Sequence, residues 1–221
     1  MVDHASNRAR MVRAQLLERG IADGRVLAAM GRVPRENFVR EEWKARAYED
    51  GPLPIGAGQA ISQPYIVACM IEALGLEGGE KVLEVGAGCG YAAAVLAELA
   101  GEVFAIERIA SLAEQARANL AAAGYGRVQI RCADGTEGWP EEAPFDAILV
   151  SAGAPDAPAV LMHQLKPGGR MVVPVGRTTF EQNLLRITRR GDEEFRRELL
   201  EAVRFVPLIG KEGWSSRAAG P

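Results

Sequence analysis

The chain has 221 residues, of which 48% are hydrophobic and 25% charged, and its formal net charge is −3. That ordinary globular balance excludes a disordered or fibrous chain and supplies no field that would gather a polyanion, so no nucleic-acid partner is expected. Apolar runs such as 66–74 are too short to cross a bilayer and no basic-then-apolar leader opens the chain, so cytoplasmic residence without membrane contact is expected.

Three cysteines, Cys69, Cys89 and Cys132, are odd in number and widely spaced, which points to reduced thiols and to neither a disulfide framework nor a metal site. Arginine makes up 22 of the 26 basic residues, which is read as biased codon usage in preference to a recognition role.

From the N-terminus, "RARMVRAQLLERG" spaces Met11, Gln15 and Leu16 for an amphipathic helix that stops at Gly20. Asp23 can cap a second helix carrying Val26, Leu27 and Met30, which Pro34 ends. The stretch 48–64 reads as one long loop, because its prolines and glycines cannot continue a helix, and loops of that length are usually functional. Strand and helix then alternate, which implies a parallel sheet with crossover helices. "YIVACMIEALG" is a helix, "KVLEV" a buried strand, "YAAAVLAELAG" a helix and "EVFAIE" a strand; "SLAEQARANLAAAG" is a helix, followed by strands "RVQIRC" and "FDAILVS". "APAVLMHQL" is a helix and "GRMVVPVG" a fifth strand, after which "NLLRITRR" and "AVRFVPLIG" form an antiparallel pair at one edge. The expected fold class is α/β, with a doubly wound, mostly parallel, Rossmann-like sheet and an N-terminal helical extension. We divide the chain into an extension with an active-site loop (1–64), a core (65–214) and a disordered tail (215–221).

"VLEVGAGCGY" places Gly86, Gly88 and Gly90 at the carboxyl end of the first core strand, the crevice where open α/β sheets bind ligands. Glu107 ends the next strand and can accept hydrogen bonds from a ribose diol; Asp134 and Gly135 follow the third strand, where a carboxylate could meet an adenine amino group. Gly88, Gly90 and Ala93 fit the dinucleotide expression G-x-G-x-x-[GA] formally. Register argues against it, because the turn-closing glycine is Gly86 and the position five residues on is Tyr91. Glu84 suits a cationic ligand portion better than a pyrophosphate, which favours S-adenosyl-L-methionine over a dinucleotide. A plain strand-to-helix turn at the glycines and a simple capping role for Asp134 are the alternatives.

On these segments the chain resembles the protein-L-isoaspartate O-methyltransferases. The likeness rests on "RVPRENFV", "AYEDGPLPIGAGQAISQPYIVA", "VLEVGAGCGY", "IER", "ADGTEGWPEEAPFDAILVSAGAP", "LKPGGRMVVPVG" and "VRFVPLIGKEGW", and spans about residues 10 to 214. The resemblance implies a cytoplasmic, monomeric repair enzyme that methylates the free carboxylate of L-isoaspartyl residues in damaged peptides and proteins, releasing S-adenosyl-L-homocysteine. The ester then closes spontaneously to a succinimide and reopens partly as normal aspartate. It places the active-site serine at Ser62 and cofactor contacts at the flanking Ile61 and Gln63; Ala60 stands where the family often has Thr.

Ser62 has no histidine beside it, so it is a poor nucleophile. A carboxylate nucleophile has an ordinary pKa of about 3.9 and needs no general base, so Ser62 is read as a positioner, with a helix N-cap as its other role. His4, in an expected frayed terminus, and His163, at a helix end, read as ordinary surface histidines. Ile55, Gln59, Val206 and Leu208 are candidate substrate contacts, and Trp214 is read as an anchor for the tail. A methyltransferase of other specificity and a non-catalytic nucleoside-binding module remain open from sequence.

Overall fold

The computed structural model describes residues 2–215; the tail expected over 215–221 lies, but for Ser215, outside them. The segment around His4, expected to fray, forms a helix. Asp3 caps α1 (His4–Arg10) by accepting from Ser6 N at 3.0 Å, and the His4 ring lies 6.3 Å from that of Tyr48. The helix widens into a π turn over Met11–Leu16, tightens into a 3₁₀ turn over Leu17–Arg19, and stops at Gly20 with φ of 98°. Met11 and Leu16 lie five residues apart yet both are fully buried, a spacing that the wider π turn aligns better than an α turn. Asp23 caps α2 (Gly24–Arg32) through Arg25 N and Val26 N, burying Val26 and Met30.

Residues 48–64, expected as one loop, contain a short hairpin. β1 (Leu53–Gly56) and β2 (Gln59–Ile61) pair antiparallel and with no other strand. Gly56, Ala57 and Gly58 turn with φ of 102°, 50° and 70°. The glycines and prolines therefore mark a tight turn and its flanks. Pro64 opens α3 (Pro64–Leu74) at a position where a missing N–H costs nothing.

The core then alternates as expected: β3 (Lys81–Val85), α4 (Tyr91–Ala97), β4 (Glu102–Glu107), α5 (Ala110–Ala122), β5 (Gln129–Cys132), β6 (Phe145–Val150), α6 (Ala159–His163), β7 (Leu165–Val175), β8 (Gln182–Arg189) and β9 (Phe195–Val203). Strand order is β5-β4-β3-β6-β7-β8-β9; the first five are parallel, and β8 runs antiparallel to both β7 and β9. The last strand is displaced from its expected place. It is the charged "FRRELLEAV", whereas "FVPLIG" leaves the sheet and folds back across the carboxyl ends of the central strands, with Gly153 N bonded to Val206 O and Leu208 N to Gly153 O. An edge strand facing water can be polar, and an apolar run can be buried without pairing.

Alternate residues of the central strands enter opposite cores. Val82, Ala105 and Leu149 pack on one face with α3 and the N-terminal residues Met11, Leu16 and Met30; Leu83, Ile106 and Ile148 pack on the other with α6. Among the described residues no helix is long and apolar enough to cross a membrane. The N-terminal segment is tied down by Glu72 of α3, whose Oε1 accepts from Ala22 N and Asp23 N at 2.7 Å each. Asp23→Ala removes the α2 cap, and urea unfolding should show a loss of about 1 kcal/mol with an unchanged m-value; an unshifted midpoint would mean the cap contributes nothing.

Candidate active site

The strand order reverses beside β3, whose neighbours β4 and β6 lead the chain to opposite sides of the sheet. At its carboxyl end, Gly86 and Ala87 both donate to Ile106 O, at 2.8 and 3.0 Å, folding the glycine loop over the tip of β4. Two adjoining hollows open there. An inner cavity is lined by Ile61, Ser62, Glu84, Gly86, Gly88 and Ser151 among others. An outer cleft of about 450 Å³ takes in Gly86, Gly88, Glu107, Gly135 and also Ile55, Gln59, Val206 and Leu208. Residues proposed from five separate stretches of sequence thus meet in one place.

Glu84 is 1% exposed. Its Oε1 accepts from the Ser151 hydroxyl at 3.1 Å, and its Oε2 is buried without a partner. Burial, with the nearby Glu107 carboxylate adding to it against the Ser151 hydrogen bond, pushes its pKa up to about 8. A carboxyl that lines a cavity and has one oxygen without a hydrogen-bond partner fits the ammonium of an amino-acid moiety. Glu107 bridges two loops, its Oε2 accepting from Gly88 N at 2.9 Å and its Oε1 from Ile109 N at 2.8 Å. Each oxygen keeps further acceptor capacity toward the outer cleft. A Cβ on Gly135 would stand 2.5 Å from Val85 Cγ1, so only glycine lets the turn after β5 lie against the strand tip.

Three expected residues line neither hollow. Gln63 turns to Asp50, with Nε2 donating to Oδ1 at 2.8 Å. Gly90 caps α4 with φ of 89°, and a Cβ there would meet Leu120 at 3.1 Å, so its smallness serves the packing of α4 on α5. Asp134 already accepts from Thr136 N, Thr136 Oγ1 and Lys211 N at 2.8–2.9 Å. Its burial would raise its pKa, but those donors outweigh the burial and hold it below the ordinary range. The carboxylate pins the 210–211 loop at the rim.

Sequence reasoning missed two residues. Ser151 follows β6 and reaches Glu84 across the parallel register, and nothing local in "VSAGAP" marks it. Arg35 is fully buried and bonds to Ser62 O at 2.7 Å; the arginines around it gave no hint that this one turns inward. The remaining titratable groups of the inner cavity hold their protons: burial pushes the Cys89 thiol up to about 11, against smaller opposing contacts, and burial likewise raises Tyr91. Cys69 lies outside the cavity and is pushed up to about 12 by burial and by Glu201. His163 sits at the end of α6, 3.8 Å from Glu193. Trp214 Nε1 donates to Gly153 O at 3.0 Å, anchoring the segment after 209 to the loop beyond β6.

Comparison with known proteins agrees with this geometry. The family description "Protein-L-isoaspartate(D-aspartate) O-methyltransferase" matches residues 6–213. A protein-L-isoaspartate O-methyltransferase 2 of Marinobacter nauticus is 61% identical over 212 residues, covering 96% of this chain and 97% of the relative. A protein-L-isoaspartate O-methyltransferase 1 of Rhodopseudomonas palustris is 59% identical over 217 residues, covering 98% and 89%. Among solved structures, a protein-L-isoaspartate O-methyltransferase superposes with a TM-score of 0.84 at 30% identity, over 93% of this chain and 67% of that one. A Plasmodium falciparum protein assigned to the same activity, solved with S-adenosyl-L-homocysteine, superposes with a TM-score of 0.80 at 26% identity, over 94% and 98%. With the match running almost end to end and the strand-tip site built from the matched segments, the chain belongs to the protein-L-isoaspartate(D-aspartate) O-methyltransferase family.

Proposed function

We propose that this chain carries out its family's repair reaction, transferring a methyl group from S-adenosyl-L-methionine to the free carboxylate of L-isoaspartyl residues, and that Ser62 positions that carboxylate. The observation that carries the reading is that Ser62 lines one cavity at the tip of β3 together with Glu84, whose Oε2 is buried without a hydrogen-bond partner. When bound, the cofactor supplies an electrophilic methyl on a sulfonium. Glu84 suits its ammonium end, Glu107 its ribose hydroxyls, and Gly135 with Leu208 the walls beside its flat base. Asp134 contributes by holding the rim, and Ile61 by closing the inner cavity next to Ser62.

No base is needed, because the nucleophile arrives ionised. The cavity is consistent with this: Glu84, Cys89 and Tyr91 are all raised by burial, and the Ser62 hydroxyl makes no hydrogen bond to a proton acceptor among the described residues. What the chain can supply is alignment and exclusion of water, and orientation of two reactants is worth roughly 7–11 kcal/mol where it is well achieved. The apolar side chains of Ile55, Val206 and Leu208 and the amide of Gln59 offer an extended peptide a surface that ignores its sequence. The side chain of Ala60, which lines both hollows, offers that substrate no hydroxyl.

Binding an ammonium at Glu84 requires its proton to leave. In the cofactor-free protein, a carboxyl raised from its ordinary 4.5 to about 8 binds protons more tightly folded than unfolded. Its contribution to stability is therefore greatest at low pH and declines as pH rises through that window. Urea unfolding from pH 5 to 8 should show wild type losing stability relative to Glu84→Gln as pH rises, and a flat difference would refute the shift. Calorimetry should show S-adenosyl-L-homocysteine binding wild type more tightly as pH rises from 6 to 7.5, with Glu84→Gln weaker and flat. Supplied with an isoaspartyl peptide and its aspartyl twin, the enzyme should label only the former; equal labelling points to another specificity. Ser62→Ala should lower kcat about 10- to 100-fold, a loss of roughly 1.4–2.7 kcal/mol in transition-state stabilisation, with the unfolding midpoint unchanged; a loss of stability with kcat intact would leave Ser62 only a structural role.

A further inference from the structure

Arg35 is the largest fully buried side chain in the molecule's described part, and among the described residues no carboxylate pairs with it. Its Nε donates to Ala47 O at 2.8 Å and one terminal nitrogen to Ser62 O at 2.7 Å, while Nη1 is buried without a partner. The guanidinium carbon lies 4.8 Å from the ring centroid of Tyr91, the residue that opens α4 directly after the glycine loop. Tyr91 in turn packs edge-on against Phe38 at 5.7 Å, at the end of the same 3₁₀ turn that Arg35 begins.

A buried cation with incomplete hydrogen bonding is costly, and an apolar side chain would fill the same space with less penalty. Its rigid fork does what an apolar chain cannot: it joins two backbone carbonyls, that of Ala47 and that of Ser62, which lines the inner cavity. The Ser62 hydroxyl itself makes no hydrogen bond among the described residues, so the backbone that carries it sets its direction. Ser62 lies between the end of β2 and the start of α3, and β2 pairs only with β1, so the main sheet gives it no support.

We propose that Arg35 is a positioning residue for methyl transfer, holding the Ser62 backbone against the Tyr91 wall of the cavity and so aiming the Ser62 hydroxyl. The proposal rests on the reading of Ser62 given above. It assigns the N-terminal extension a part in the reaction beyond covering the core. Arg35→Lys keeps the charge but cannot join both carbonyls, and Arg35→Met keeps the bulk alone.

The test is a double-mutant cycle on the full chain, with Arg35→Lys measured in the wild-type and Ser62→Ala backgrounds. The readouts are kcat for an isoaspartyl peptide, calorimetric affinity for S-adenosyl-L-homocysteine, and the thermal midpoint. Arg35→Lys should lower kcat at least tenfold with cofactor affinity within about twofold of wild type, and its effect on kcat should shrink below threefold once Ser62 is Ala. Where Arg35→Lys does not fold, Arg35→Met enters the same cycle. Equal factors in both backgrounds, or a kcat loss matched by a loss of cofactor affinity, overturn the role of Arg35 and leave that of Ser62 standing. A Ser62→Ala enzyme with wild-type kcat overturns both readings. Failure of both Arg35 variants to fold assigns the residue to the fold alone and overturns the proposal.

Discussion

An acid in the middle of a covered sheet is the constraint around which this molecule is arranged. Strand parity sends Glu84 to the same face as Val82, the face roofed by α3 and the N-terminal segment, so its carboxyl is taken out of water. Burying a carboxylate is costly unless something compensates, and the chain supplies one hydroxyl, from Ser151, for two oxygens. The second oxygen is left without a hydrogen-bond partner, on a residue that lines the inner cavity. A cationic group brought against it would offset that cost, which is the basis of the role proposed for Glu84.

The same face explains why the first sixty residues matter to the site. They are not a separate layer: Met11, Met30 and Phe38 share one core with the strands, and Glu72 and Arg35 tie their backbone to α3 and to the Ser62 loop. The short hairpin β1–β2, paired to nothing else, then lies over the glycine loop, where the Cδ1 of Ile55 comes within 3.1 Å of a Cβ placed on Gly88. The hairpin and the glycine loop therefore lie close together at Ile55 and Gly88.

Neighbours changed the meaning of several motif residues. Gly90 sits in the motif, yet α5 limits its size; Asp134 sits after a strand as a ligand residue would, yet the backbone of Thr136 and Lys211 takes its oxygens. Motif position describes where a residue stands along the chain. Which donors reach it depends on segments far away in sequence, such as 210–211.

The alternation of strands and helices from Pro64 to Val175 was legible because it is written in local periodicity: buried parallel strands are short apolar runs and their helices begin and end at Pro and Gly. The placement of the glycine loop, Glu84 and Glu107 at strand ends was legible for the same reason. Only the tertiary structure decided that 53–61 is a hairpin, that the last strand is the polar 195–203 and not the apolar 205–210, and that Arg35 reaches the Ser62 carbonyl and Ser151 the Glu84 carboxyl. Those outcomes depend on what each segment packs against. Edge exposure permits a charged strand and a buried carbonyl recruits an arginine, and neither leaves a periodic mark on the chain itself.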